Sequence, residues 1–433
     1  MKKVDVITMG CSKNLVDSER LLRRLSDGNI EAVHDADDFC GDAVVINTCG
    51  FIGDAKEESI DMILSACQAK SEGRVGSVYV MGCLSERYAR QLPDEIPEVD
   101  GWFGKFDFEA LVAELCPELH PSVRPWDRKL TTPSWSAYLK IAEGCNRFCA
   151  FCAIPLITGR YKSRPIEEIV EEVRALVNRG VKEFNVIAQD LSYYGKDLYG
   201  RMAIAELVDA VANIDGVEWI RLHYAYPTDF PYDLLPVMAR HANVCKYLDI
   251  ALQHSSDNML ERMRRRITGA ETRALLSRIR QEVPGIHIRT TLMVGFPGET
   301  DEDFENLLDF VREQRFERMG AFAYCEEEDT YAAEHYNDDV PDSAKHLRLD
   351  RLMALQEEIA LEHNRSKIGT VVRVLIESEN GGFYTGRSQY DSPEVDPEVL
   401  IDKSTCGVEL NFGEMYDVEI TDAMPYELFG RVV

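Results

Sequence analysis

Up to about residue 125, short apolar runs alternate with amphipathic stretches. Val4–Met9, Asp42–Asn47 and Ser77–Met81 read as buried strands, and Asp17–Leu25, Ala55–Lys70 and Ser85–Leu92 as helices. Strands separated in this way pair in parallel beneath covering helices. Pro117, Pro121, Pro125 and Pro133 then break the pattern and mark a linker. From about Tyr138 to about Asn364 the alternation resumes. Its strands are Tyr138–Ala142, Phe184–Ala188, Trp219–Tyr224, Tyr247–Leu252, His287–Met293 and Gly320–Tyr324, separated by helical stretches such as Pro165–Asn178 and Thr300–Gln314. Six such units predict an open, partial (β/α)6 barrel, whose chemistry sits on the loops after its strands. From about Ser366 the helical period is lost. TVVRVLIES, GFYTGRSQY and EMYDVEIT alternate or run β-branched and aromatic, which predicts a small antiparallel β-barrel. The expected fold is α/β, in three domains at 1–125, 134–364 and 366–433.

Charge narrows the choice of partner. The 433-residue chain carries 48 basic and 76 acidic residues, a formal charge of −28. Such a field repels a phosphate backbone and suits a basic protein. The third segment holds five basic and thirteen acidic residues, about twice the negative density of the rest. No apolar run approaches the ~18 residues of a membrane span. MKKVDVITMG lacks the apolar region of a signal peptide, so a cytoplasmic protein without a membrane partner is expected. Twelve cysteines there point to metal or redox chemistry rather than disulfides.

The sharpest local signal is EGCNRFCAFCAIP, which sets Cys145, Cys149 and Cys152 at C-x3-C-x2-C directly after the first barrel strand. Random placement would produce this spacing far less than once per chain of this composition. Structural zinc takes four ligands, and no suitably spaced fourth accompanies the loop. Three thiolates fit a 4Fe–4S cluster with one iron left open. C-x3-C-x2-C with Phe151 before the last cysteine resembles the signature of radical S-adenosylmethionine (SAM) enzymes. The resemblance implies that the open iron chelates SAM, which one electron splits into methionine and a 5′-deoxyadenosyl radical. It also implies a partial (β/α)6 barrel.

Cys11, Cys49 and Cys83 are scattered in sequence, yet each lies just past a strand, in TMGC, INTCGF and VMGC. Strand ends of a parallel sheet share one edge, so the three can meet. Gly10, Gly50 and Gly82 beside them would let a cofactor approach the backbone closely. From geometry alone, a second metal site and three buried thiols remain equally open. GCSKNLVDSE, NTCGFI and GCLSERY are similar to the N-terminal domain of methylthiotransferases within the radical SAM enzymes, and the likeness runs the length of the chain. Ser12 stands where many members have proline. The resemblance implies a second 4Fe–4S cluster on Cys11, Cys49 and Cys83, and a C-terminal TRAM domain. Cys40, Cys67, Cys116, Cys245, Cys325 and Cys406 match no motif and read as structural.

Methylthiotransferases divide between those that modify tRNA adenosine and those that modify an aspartate of ribosomal protein S12. NTCGFIGDAKEESID, WIRLHYAYP and YLDIALQHSSDNMLERMRR look like the second branch, and the acidic third segment independently favours it, because ribosomal proteins are basic. The expected substrate is S12, alone or on the small ribosomal subunit, with an electron donor as a further partner. tRNA is the alternative, kept open by the basic stretches RMRRRITG and GRYKSRP. An iron–sulfur carrier is a third reading, but a carrier normally closes its coordination with four ligands. One SAM would methylate sulfur at the second cluster, and another would yield the radical that takes hydrogen from the aspartate β-carbon. For SAM, candidates are Phe151 against the adenine, Gln189, Asp190, Arg221 and Gln253 after strands, and Gly295 and Gly298 of GFPGET. The helix following GFPGET would favour the SAM carboxylate at its N-terminus.

Overall fold

The computed structural model describes residues 3–117 and 124–433, so Pro121 of the expected linker lies outside the described residues. The N-terminal sheet comprises β1 (Lys3–Thr8), β2 (Glu31–His34), β3 (Ala43–Thr48), β4 (Ser77–Gly82) and β5 (Gly101–Trp102), all parallel, in the order β2-β1-β3-β4-β5. Its residues alternate between two cores. Val4, Val6, Ala43 and Val45 pack on Leu21, Leu25 and Leu111 from one side, while Val44 and Ile46 meet Ile63 and Ala66 on the other. Both faces are therefore buried, as parallel sheets require. The sequence pattern misses β2 and β5. β2 is a half-exposed four-residue edge and β5 has two residues, too short to show a period.

The central sheet contains β6 (Ser136–Lys140), then β9 (Glu183–Ile187), β10 (Trp219–Ala225), β11 (Val244–Ile250), β12 (His287–Val294) and β13 (Arg318–Ala323). All pair in parallel in the order β13-β12-β11-β10-β9-β6. β13 does not return to β6, so the barrel is open, as expected. A two-stranded hairpin, β7 (Ala142–Glu143) with β8 (Lys162–Ser163), brackets the triple-cysteine loop.

The C-terminal strands are β14 (Val371–Asn380), β15 (Phe383–Ser388), β16 (Glu398–Asp402), β17 (Met415–Ala423) and β18 (Glu427–Val432), closed in the order β14-β15-β16-β18-β17. One departure from the antiparallel expectation is the parallel pair β16–β18. A ring of five strands cannot alternate direction throughout, so closure itself demands one such pair.

Buried ion pairs join the three parts. Arg128 lies between Glu19 of the N-terminal part and Glu172 of the barrel, 2.9 Å from the latter. The loop after β15 plugs the barrel's N-terminal end. There Asp391 pairs with Arg318 at 2.5 Å and Asp396 accepts from the Tyr247 hydroxyl at 2.9 Å. Among the described residues, no helix is long and apolar enough to cross a membrane.

Candidate functional site

The loop between β7 and β8 starts at Gly144 with φ +81°, where a Cβ would stand 2.2 Å from the Arg160 carbonyl oxygen. The Cys145 N–H donates to the Gly159 carbonyl at 3.2 Å and the Cys152 N–H to that of Cys149 at 3.1 Å, which folds the three thiols to one side. Burial pushes the Cys145 thiol up to about 12 and raises that of Cys152 further. The Arg265 guanidinium lies 3.1 Å from the Cys149 sulfur and the Tyr226 hydroxyl 3.4 Å from it.

The second triad forms at the edge predicted for it. β1, β3 and β4 are neighbours, and Cys11, Cys49 and Cys83 lie at their C-terminal ends. All three are near enough for the charge of Cys11 and Cys49 to raise the Cys83 thiol, although burial is the main cause of its rise to about 12. Asn14 ties the edge together by donating to the carbonyls of Met9 at 3.1 Å and Thr48 at 3.0 Å. Ser59 holds the backbone of Cys49, accepting from its N–H and donating to its carbonyl, both at 3.0 Å. The neighbouring glycines do not leave room for a cofactor. Space for a Cβ is filled at Gly10 by Cys49, at Gly50 by Leu84 and at Gly82 by Asn47 and Thr48. Gly10 has φ +87°, and a Cβ there would meet the Cys49 Cβ at 2.7 Å and its sulfur at 2.9 Å. Gly10→Ala is expected to displace Cys49 and cost this triad its iron, roughly half of the chain's total if each triad holds four. Iron analysis of the anaerobically reconstituted variant checks this.

One cysteine of the second triad reaches the segment that follows the first. Cys83 packs directly on Ala153 and Ile157, in and beside the short helix that follows Cys152. Lys105 is buried there between Asp17 at 3.2 Å and Glu143 at 3.6 Å. Among the described residues no three His, Cys, Asp or Glu side chains converge tightly enough for a single metal ion. A four-iron cluster is wider, because each thiolate takes a different iron. The donor sets fit such a cluster: all six groups are thiols, and those of Cys49, Cys83, Cys145 and Cys152 are held protonated by burial until a cation is present.

The candidates for SAM divide. Gln189 donates to Glu143 at 3.3 Å and leaves its buried Oε1 without a partner, as does Gln253. Such orphaned acceptors are costly unless a ligand meets them. Phe151 is half-buried, edge-on to Phe296 with centroids 6.4 Å apart. Asp190 is already engaged, by Arg147 at 2.6 Å and the Ser192 N–H at 2.9 Å. Arg221 is a correction. It sits at the barrel's opposite end, where Glu183 accepts from it at 3.0 Å and the Gln389 carbonyl at 2.6 Å. GFPGET is another. A Cβ at Gly295 would strike Lys345, and one at Gly298 would strike Arg262, so packing alone demands both glycines. Their amides donate to Glu299 and Asp339, each at 2.6 Å, and a Thr300–Asp303 capping box closes the helix Asp301–Gln314. The capping box and these two bonds already take up the Gly295, Gly298, Thr300 and Asp303 amides.

Arg265 was within reach of the sequence only as part of the basic stretch RMRRRITG; nothing in the spacing singles it out. Losing its guanidinium removes a positive charge beside Cys149 and disfavours adding an electron there. Arg265→Met is expected to lower the first cluster's reduction potential by up to roughly 60 mV, the equivalent of about 1.4 kcal/mol for one electron. Redox titration followed by electron paramagnetic resonance measures it.

The open parallel barrel with its triple-cysteine loop defines a radical SAM enzyme, and a second set of three cysteines lies along the edge of the N-terminal sheet. The chain matches the radical SAM superfamily over residues 139–311, the uncharacterized protein family UPF0004 over 3–104 and the TRAM domain over 368–433. It is 58% identical over 431 residues to the ribosomal protein uS12 methylthiotransferase RimO of Parabacteroides distasonis, covering 100% of this chain and 99% of the relative. The Bacteroides fragilis RimO is 56% identical over 433 residues, again with 100% and 99% covered. The fold is shared with the radical SAM methyltransferase TsrM from Kitasatospora setae, with a TM-score of 0.56 at 14% identity, covering 77% of this chain and 74% of that one. The chain belongs to the RimO family of radical SAM methylthiotransferases, enzymes that depend on SAM and iron–sulfur chemistry.

Proposed function

We propose that this chain methylthiolates the β-carbon of an aspartate in ribosomal protein uS12, in the cytoplasm, with one 4Fe–4S cluster on each cysteine triad. The observation that supports this is the packing of Cys83, of the second triad, with Ala153 and Ile157 just past Cys152, of the first. When bound, the clusters and SAM supply hydrogen abstraction and the methylthio group. The chain's own residues do the rest. Six cysteines would hold iron. Arg265 and Tyr226 donate toward the Cys149 sulfur and offset its negative charge. Gln189 and Gln253 offer their unpaired oxygens to donors on SAM. Burial of Cys83, Cys145 and Cys149 helps keep water from reactive species. The domains are taken as 1–125, 134–364 and 366–433, the last with its acidic excess toward the basic substrate.

The test is anaerobic reconstitution with SAM, reductant and sulfide, offering S12 beside bulk tRNA, each followed by mass spectrometry. A methylthio gain on the S12 aspartate alone is expected. A gain on tRNA adenosine alone would overturn the reading.

A further inference from the structure

A cavity of about 200 Å³ lies inside the open barrel. Its rim includes Cys11 of the second triad, its walls Tyr224 and Arg289, and its floor the loop 392–395 of the C-terminal barrel. All three parts of the chain therefore meet there. Two cations bear on it, Arg289 in its lining and Lys13 through the ring of the lining residue Tyr224. Lys13, two residues past Cys11, is only 8% exposed, yet its ammonium makes no hydrogen bond or ion pair among the described residues; it rests 3.5 Å from the centroid of the Tyr224 ring. A buried ammonium with a ring face and no hydrogen-bonding partner is under-compensated, even with the Asp249 carboxylate near enough to feel its charge. Arg289 lines the wall with loose ion pairs, 3.8 Å to Asp249 and 3.4 Å to Asp396, and makes no hydrogen bond among the described residues. Its donors remain available.

Backbone strain concentrates at the same place. Tyr224 has φ +65° and Glu394, in the floor, φ +70°. Non-glycine residues hold such angles where surrounding structure enforces them, often at binding sites. The strand end that carries Tyr224 continues to Tyr226, which touches Cys149. The cavity thus adjoins the second triad through Cys11 and the first through the end of β10.

We propose that Lys13 and Arg289 bind the side-chain carboxylate of the target residue and so present its β-methylene to the region between the triads. This rests on the reading of an aspartate substrate. The geometry suits it, because the carboxyl carbon is bonded directly to the β-carbon, and fixing one fixes the other. An adenine would bring no anion to Lys13. Asp249 and Asp396 already offset part of the charge of Arg289, and Asp249 part of that of Lys13, so the two cations act together. The pair makes the site selective for an acidic side chain over its amide.

S12 and its variant with asparagine at the target position are offered to the reconstituted enzyme, and methylthio products are counted. The wild type is expected to prefer aspartate by at least about tenfold in kcat/KM, the cost of one lost charge-assisted hydrogen bond. Lys13→Met should reduce that preference to less than about threefold, mainly through KM, while Lys13→Arg restores most of it. Arg289→Gln, far from any cysteine in sequence, should also narrow it, and decides the matter if Lys13→Met loses iron. Wild-type preference retained in both Lys13→Met and Arg289→Gln, at full iron content, would overturn the proposal. A wild type that modifies neither form of S12 would overturn the substrate reading first and this site with it, and that failure shows before any variant is made.

Discussion

Cys149→Ala is expected to abolish reductive SAM cleavage, whereas Cys49→Ala should leave SAM cleavage in place and abolish methylthio transfer. Each should lower bound iron from about eight to about four per chain. The asymmetry follows from where the two cysteines sit. Cys149 lies in the loop between β7 and β8, at the barrel mouth, hydrogen-bonded by Arg265 at 3.1 Å, while the orphaned acceptors of Gln189 and Gln253 lie on the loops after β9 and β11. Cys49 ends β3 in a different sheet, with its own core on both faces. Its backbone is held by Ser59, whose bonds do not involve the sulfur, so alanine keeps the turn intact. The loss of one cluster should therefore not unfold the other's domain. Quantifying 5′-deoxyadenosine and methylthiolated product from the same reaction, with iron per chain, separates the two outcomes. If Cys49→Ala still transferred a methylthio group, the second triad would not be where sulfur is delivered.

Most of the architecture was legible because it rests on local periodicity. The buried runs DAVVIN and SVYVM are strands in the structure, and the helix predicted at Asp17–Leu25 runs from Ser12 to Asp27. The triads were legible for different reasons. Cys145, Cys149 and Cys152 are close in sequence, so spacing alone marks them. Cys11, Cys49 and Cys83 needed the further step that adjacent parallel strands end along one edge. The SAM contacts were less legible. A residue after a strand has the right address, but its direction depends on tertiary partners. Arg221 points to the plug end because Glu183 and the carbonyl of Gln389 take its donors, and the latter lies in another domain. GFPGET reads as a ligand loop, yet its glycines answer to Lys345 and Arg262, from helices distant in sequence. Lys13 and Arg265 lie within quoted stretches, GCSKNLVDSE and RMRRRITG, but nothing in the spacing gives either a role, and only their surroundings distinguish them from other cations.

Glu183→Gln is expected to cost about 3–5 kcal/mol and to loosen the C-terminal barrel from the central one. Glu183 is fully buried at the start of β9, where its carboxylate accepts from Arg387 at 2.8 and 3.2 Å, Arg221 at 3.0 Å and Ser136 at 2.8 Å. Burial alone would push its carboxyl up. The Arg387 and Arg221 guanidiniums outweigh that and hold it well below the usual carboxylate range. Replacing it leaves the buried Arg221 guanidinium with no carboxylate partner among the described residues and Arg387 with Glu377 alone. The stability it supplies is fully present above the ordinary carboxylate value of about 4.3 and is lost as pH falls through the lowered one. At neutral pH the whole effect should therefore appear, as a lower urea midpoint and faster hydrogen exchange in β15. The same contact reaches function. Arg387 and Ser388 lead directly into the loop 392–395 that floors the barrel cavity. A loosened floor should raise KM for S12, while uncoupled SAM cleavage at the far end of the barrel proceeds. Unchanged exchange in β15 would mean that the dock holds without this carboxylate, and that Asp391 and Asp396 suffice to seat the plug.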